Sequence, residues 1–207
     1  MKRFYPALAA CLAVLSLALP GIALAQNPGN GGATFDGLQL TTRPEEFLGK
    51  FVALAQADAQ ANASLLTALG DADGAAKVTA ALAALDINAT PSQITAATDA
   101  TRAARQKVAA LLAAQPSLND ANKAMFADGA ARLANTAHEF NLLTRNIHAT
   151  RQALTTAGSP ARIALFAARG TPDISAQLQG ELGAMLAFAS ARQLTLAPEV
   201  GAAAAEM

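Results

Sequence analysis

The sequence predicts an all-α fold, a compact antiparallel bundle of about four main helices with one or two short ones. Alanine makes up about a quarter of the 207 residues, far above ordinary usage. Alanine is the strongest intrinsic helix former, and the strand-like alternation of β-branched residues is absent. Gly and Pro divide the chain into segments, and most segments open with a residue type that caps helices.

The first 25 residues predict a secretory signal peptide that is cleaved between Ala25 and Gln26. A short basic start precedes an apolar run that is too short to span a bilayer comfortably, and an Ala-Leu-Ala motif ends the segment. Lipid attachment at Cys11 is disfavoured because the longer apolar run follows this cysteine. We therefore expect a periplasmic or secreted mature chain, residues 26–207, without a transmembrane span.

Cleavage changes the composition of the chain. Cys11 and Tyr5 leave with the leader and the sequence has no Trp, so the mature chain contains none of these three residue types. Disulfides, zinc–thiolate sites and cysteine nucleophiles are thereby excluded. Lys2 and Arg3 leave too, so 13 basic residues face 15 acidic ones and the mature net charge is about −2. This balance argues against a nucleic-acid partner.

Residues 26–41 carry Asn, Pro and Gly without periodicity, which predicts a disordered lead-in. A single helical-bundle domain is expected over residues 42–196. Its first helix should begin at Thr42, which can form a capping box with Glu45, and should end at Gly70.

The next helices are also marked by capping residues. Asp71 or Asp73 should start a short second helix. Thr90, followed by Pro and by Gln three residues on, should open the third helix, which ends near Pro116. Ser117 or Asn119 then caps a fourth helix, the longest of the fold.

The last third of the chain is expected to hold three segments. The fourth helix should run to Gly158, a Ser-Pro pair then starts a short helix that ends at Gly170, and a Thr-Pro pair starts the last helix. Gly180 and Gly183 favour a close crossing between that last helix and the fourth one. Residues 197–207 should fray.

No metal or cofactor site and no catalytic motif is evident. His138 and His148 are the only histidines, and they lie ten positions apart rather than three or four. The Glu-x-x-His ligand motif, the Gly-x-Ser-x-Gly elbow and the phosphate-binding loop are all missing. The sequence therefore predicts a protein without metal or cofactor that is not an enzyme.

Asp58 and Asn62 are the candidate ligand-binding residues. Asp58 falls within the apolar stripe of the first helix, and Asn62 lies one turn further on. A carboxylate on such a face is costly unless it is paired or hydrated. Three interpretations stay open: pairing with Arg102 or Arg105, exposure of this part of the stripe, or the lining of a small-ligand pocket by Asp58 and Asn62.

A second candidate is a polar strip on the fourth helix, formed by Asn135, His138, Asn141 and Arg145. Their 3-3-4 spacing places them within about 120° of the helix circumference. The strip is either an ordinary solvated face or a surface for an interaction with a partner.

These observations predict an exported, non-enzymatic protein that acts by binding, as a scaffold, adaptor or chaperone-like factor. The alternative is a periplasmic carrier of a lipid or other apolar small molecule, enclosed by Ala, Leu and Phe side chains. The expected partner is thus a periplasmic protein or an apolar small molecule. Long Ala-rich amphipathic helices also suit self-association, so a homodimer is left open.

Overall fold

Seven helices and one pair of two-residue strands form the regular structure of the residues that this computed structural model describes: 34–35, 38–39, 43–83, 85–155 and 158–206. The helices are α1 (Pro44–Ala68), α2 (Ala72–Leu82), α3 (Pro91–Ala113), α4 (Asp120–Arg145), α5 (Ile147–Thr155), α6 (Gly158–Arg192) and α7 (Pro198–Ala205). The predicted all-α bundle is confirmed. None of the described helices is apolar over a stretch long enough to cross a lipid bilayer.

The predicted leader, 1–25, lies outside the described residues, as does most of the predicted lead-in, 26–41. Within the lead-in, β1 (Thr34–Phe35) pairs antiparallel with β2 (Leu38–Gln39). The sequence did not predict this pair. Two strands of two residues are below the length that pattern analysis detects.

Helix α1 ends as predicted but begins differently. Arg43 rather than Thr42 is the N-cap residue, its side chain makes no cap hydrogen bond, and Thr42 lies outside the described residues. Gly70 has a positive φ of 91°, which reverses the chain and which a residue with a side chain rarely adopts. Asp71 then caps α2 by accepting a hydrogen bond from the backbone N–H of Gly74 at 3.0 Å.

The capping residues of α3 and α4 are confirmed. Thr90 and Gln93 form the expected capping box at the start of α3. Asn119 caps α4 by accepting a hydrogen bond from the N–H of Asn122 at 2.8 Å. Local side-chain chemistry is sufficient to start these two helices.

The prediction of one uninterrupted helix to Gly158 is wrong, because the helix is interrupted at Asn146, which separates α4 from α5. The side-chain amide of Asn146 donates to the carbonyl of Leu142 at 3.3 Å. Asn competes in this way with the backbone hydrogen bonds of a helix, which makes it a common residue at helix ends.

The prediction of two separate helices after Ser159 is also wrong. Helix α6 is continuous over 35 residues with Pro172 inside it. An interior proline costs about 3 kcal/mol, yet Ala164, Leu178 and Leu182 on either side of it are fully buried. Burial of one long apolar face outweighs the hydrogen bond that is lost at Pro172.

The predicted frayed tail at 197–207 is instead helix α7 over most of its length. Val200 is fully buried and Ala203 nearly so, and α7 packs against α4 and α6. An apolar pair three residues apart thus anchors the segment.

The core lies where α1, α4 and α6 meet. Phe51 and Phe140 make an edge contact with ring centroids 6.2 Å apart, and Phe126 and Phe188 make another at 5.3 Å. The close helix approach occurs at Gly129 of α4, where an added Cβ would lie 3.0 Å from Leu65 Cγ. The expected crossing at Gly180 and Gly183 is wrong, since neither would meet any atom within 4 Å.

Candidate functional site

Four polar side chains are buried together between α1, α3 and α6, and we call them the buried polar cluster. They are Asp58 and Asn62 on α1, Arg105 on α3 and Glu181 on α6. Asp58 is 2% exposed and Glu181 is 5% exposed. Fully buried apolar residues on either side of the cluster, such as Leu65 of α1 and Leu178 of α6, pack around it.

Arg105 is the centre of the cluster. Its Nη2 forms an ion pair with Asp58 Oδ2, and its Nη1 donates to Gln177 Oε1 at 2.9 Å. Asn62 Nδ2 donates to the other Asp58 oxygen, Oδ1, at 2.9 Å and to the Asp58 backbone carbonyl at 3.0 Å. Both carboxylate oxygens of Asp58 therefore have a donor.

Glu181 lacks the hydrogen bonds that Asp58 makes. Its Oε2 lies 3.6 Å from Arg105 Nε, too far for a hydrogen bond. Neither of its oxygens has a protein partner, and the same holds for Asn62 Oδ1 and Arg105 Nε. Within the described residues, these four atoms are all of the buried side-chain N and O atoms that lack a partner.

Burial alters the acidity of both carboxyl groups. It raises the pKa of Asp58 to about 6 against the opposing effect of the Arg105 charge. Burial together with the negative charge of Asp58 raises the pKa of Glu181 to about 8. At neutral pH the cluster therefore holds an ionised Asp58, a cationic Arg105 and a largely protonated Glu181.

The structure decides among the interpretations of Asp58. Pairing with Arg105 is confirmed, whereas Arg102 is exposed and bonds to Asp99 on its own helix at 2.8 Å. The space beside Asp58 is about 10 Å³, room for about one water molecule. The hypothesis that Asp58 and Asn62 line a ligand pocket stays a prediction, and among the described residues the space beside Asp58 takes no more than that water molecule.

Sequence reasoning missed Glu181 completely. The signal was present, because Glu181 follows Leu178 by three positions and precedes Met185 by four, within the apolar stripe of α6. A second acidic residue on an apolar face would have pointed to a polar cluster between two helices rather than to an isolated carboxylate.

Two adjoining clefts lie over this cluster, and together we call them the α3–α6 groove. The first, the Phe166 cleft, has a volume of about 370 Å³ and combines apolar side chains such as Ile94, Phe166 and Ile174 with charged ones. The second, the Glu181 cleft, has a volume of about 350 Å³. Its lining residues are Arg102, Arg105, Gln106, Ala109, Gln177, Gly180, Glu181 and Ala184.

The polar strip on α4 is partly covered by the chain itself. His138 Nδ1 lies 2.8 Å from a carboxylate oxygen of Glu206, and Asn141 Nδ2 lies 3.4 Å from the other oxygen. The hydrogen bond from His138 is the main cause that lowers the pKa of Glu206. Asn135 and Arg145 stay exposed. Part of the strip is thus a docking site for the end of α7.

In the described part of the chain, no three His, Cys, Asp or Glu side chains are placed to hold a metal ion together. Comparison with known proteins gives no match: no protein-family model, no curated protein and no solved structure is similar to this chain. The site must therefore be interpreted from its own geometry and chemistry.

Proposed function

We propose that this chain is an exported, non-enzymatic binding protein whose binding surface is the α3–α6 groove. The observation that carries the proposal is the Phe166 cleft. Phe166 is a large apolar residue with 41% of its surface exposed, and it lies in a concavity of about 370 Å³, a size typical of ligand sites. In this role the protein acts as a scaffold, adaptor or chaperone-like factor that binds an apolar side chain of a polypeptide.

The rim of the cleft supports a polypeptide partner. It carries two acidic residues, Asp99 and Asp173, and two basic ones, Arg102 and Arg169. Mixed charges around an apolar centre are the usual anatomy of a protein interface. A lipid tail would gain nothing from them.

A binding titration can use the absence of Trp and Tyr from the mature chain. The emission of a Trp-containing apolar peptide then reports only on the peptide, and docking in the Phe166 cleft should shift that emission to shorter wavelength. Phe166→Ser should weaken binding about tenfold or more, the loss expected when an interface residue worth about 1.4 kcal/mol or more is removed. Met125, 38% exposed on α4 and outside the cleft, provides a matched control in Met125→Ser. Equal effects of the two substitutions would contradict the proposal.

Export is the second part of the proposal and has its own test. Expression of the whole chain in a Gram-negative bacterium should give a periplasmic form whose intact mass corresponds to a start at Gln26. A full-length chain in the cytoplasmic fraction would contradict it.

The alternative, carriage of an apolar small molecule, is addressed by mass spectrometry of a solvent extract of the purified mature protein. A stoichiometric lipid would favour the carrier over the adaptor. We favour the adaptor because, among the described residues, the clefts of ligand size are open grooves at the surface.

A further inference from the structure

The Glu181 cleft has an excess of hydrogen-bond acceptors at its base. Two acceptor atoms there lack a protein partner, namely both carboxyl oxygens of Glu181. A single donor, Arg105 Nε, is in the same condition. A ligand that completes this site must bring donors rather than acceptors.

The charges at the site point in the same direction. Two carboxyl groups, Asp58 on α1 and Glu181 on α6, face one cation, Arg105 on α3. With all three ionised, the cluster carries one negative charge in excess. In the free protein at neutral pH, a proton on Glu181 neutralises this charge, and a cation that displaces the proton neutralises it equally.

The way in from the surface is lined by small residues. Ala109 of α3 and Gly180 and Ala184 of α6 line the cleft beside Arg105 and Glu181. A Cβ added at Gly180 would meet no atom within 4 Å, so the wall of the cleft is open at this position. An unbranched chain fits there without displacing a bulky side chain.

We propose that the Glu181 cleft binds a primary ammonium group on an aliphatic stem, with the Glu181 carboxylate as its acceptor. An ammonium group carries one positive charge, which takes the place of the Glu181 proton, and three donors, enough for both free oxygens of Glu181. A guanidinium group has five donors in a rigid plane, more than the site can satisfy. A proton on Glu181 supplies a single donor and leaves the other carboxyl oxygen without one.

The remainder of the ligand lies in the Phe166 cleft. The two clefts share Arg102 and Gln177, so a stem that leaves Glu181 continues toward Phe166 and Ile174. This inference rests on the proposed function, because it specifies the chemical group that one end of the α3–α6 groove binds. The ammonium group comes either from a free alkylamine or from a lysine side chain of a partner polypeptide.

A fluorescent alkylamine tests the site directly. We would titrate the mature protein with dansylcadaverine, in which five methylene groups link a dansyl group to a primary amine, and with its N-acetylated form as the uncharged control. The amine should bind saturably, and the acetylated form at least tenfold more weakly. Equal binding of the two probes would overturn the proposal.

Two glycines of α6 provide a matched pair of variants. Gly180→Leu should abolish binding because the new side chain fills the cleft. Gly183→Leu should bind like wild type, since Gly183 also has open space around it but does not line the cleft. Circular dichroism of both variants establishes that the helices are retained. Binding that survives Gly180→Leu would place the amine elsewhere and overturn the proposal.

Glu181→Gln, which keeps the shape and removes the charge, should weaken amine binding at least tenfold; wild-type affinity in this variant would overturn the proposal. The charged groups that face Glu181 are Asp58 on α1 and Arg105 on α3. Since the pKa of Glu181 is about 8, the amine competes with a proton, and affinity for wild type should rise about tenfold from pH 7 to pH 9. An affinity independent of pH would contradict a contact with Glu181.

The source of the ammonium group is resolved with peptides. A Trp-containing peptide with one Lys, compared with its acetyl-lysine form, should discriminate as the two dansyl probes do if the natural ligand is a polypeptide. If only the free amine discriminates, the natural ligand is a small amine. Peptide binding that depends on Phe166 but not on the ammonium group would leave the proposed function in place and overturn this inference. Amine binding without peptide binding would support this inference and contradict the proposed function.

Discussion

Helix α1 meets the rest of the bundle through two interfaces of opposite character. Toward α4 it is apolar and tightly packed, with the Phe51–Phe140 contact and the approach of Leu65 to Gly129. Toward α3 and α6 it holds two of the four members of the buried polar cluster, and open clefts lie nearby. The first interface stabilises the fold, whereas the second contains buried polar atoms that have no hydrogen-bond partner in the described part of the chain. In a chain dominated by alanine, this second interface is therefore where we propose that a ligand binds.

The largest effect in this comparison should follow from Arg105→Ala. It leaves Asp58 and Glu181 buried without a cation, and breaking a buried ion pair in this way costs about 3–5 kcal/mol. Arg102→Ala is the matched control on the same helix, because the exposed Arg102–Asp99 pair is worth about 0–1 kcal/mol. Urea denaturation measures both. Similar losses in the two variants would show that the cluster contributes no more than a surface ion pair.

The next effect is a dependence of stability on pH. The folded-state pKa values of Asp58 and Glu181 both lie above their ordinary values, so the folded protein binds more protons than the unfolded chain between those limits. The free energy of unfolding should therefore be highest near pH 4 and should fall as the pH rises to about 8, by at most about 1.4 kcal/mol per pH unit for each group.

Glu181→Gln isolates its share of this dependence. The decrease between pH 6 and pH 8 should flatten in this variant, while a smaller decrease between pH 4 and pH 6, the contribution of Asp58, should remain. Glu199→Gln removes an exposed carboxyl group on α7 and should keep the wild-type profile. A profile for Glu181→Gln that still falls above pH 6 would assign the titration to another group.

The smallest effect is expected when one glycine is replaced by alanine at the tight interface and one at the open interface. Gly180→Ala should stabilise the protein by about 1 kcal/mol, since alanine favours helix and the added methyl group meets open space. Gly129→Ala gains the same helix propensity but forces Leu65 to move, and overpacking of this kind costs about 1–3 kcal/mol. Thermal unfolding should therefore rank Gly129→Ala below Gly180→Ala. The opposite order would mean that the α1–α4 interface is not tightly packed.

The buried polar cluster was half visible in the sequence. The apolar periodicity of α1 identified Asp58 and Asn62, and Arg105 was one of two arginines expected to pair with Asp58. Glu181 was not predicted, although it is an acidic residue on the apolar stripe of the last helix. The clefts were not predictable at all, since a groove between α3 and α6 depends on how closely two helices approach.

Local chemistry explains which parts of the fold followed from the sequence. Asp71, Thr90 and Asn119 cap their helices as expected, and Gly70 ends α1, because each of these effects involves only neighbouring backbone groups. Tertiary packing decided the rest. It carried α6 through Pro172 and held α7 in place through Val200, since the burial of a continuous apolar face exceeds the local preference to stop or to fray. It also brought Glu181 to Arg105 across 76 positions of the chain, a contact that the sequence leaves open because no local pattern encodes which distant helices become neighbours.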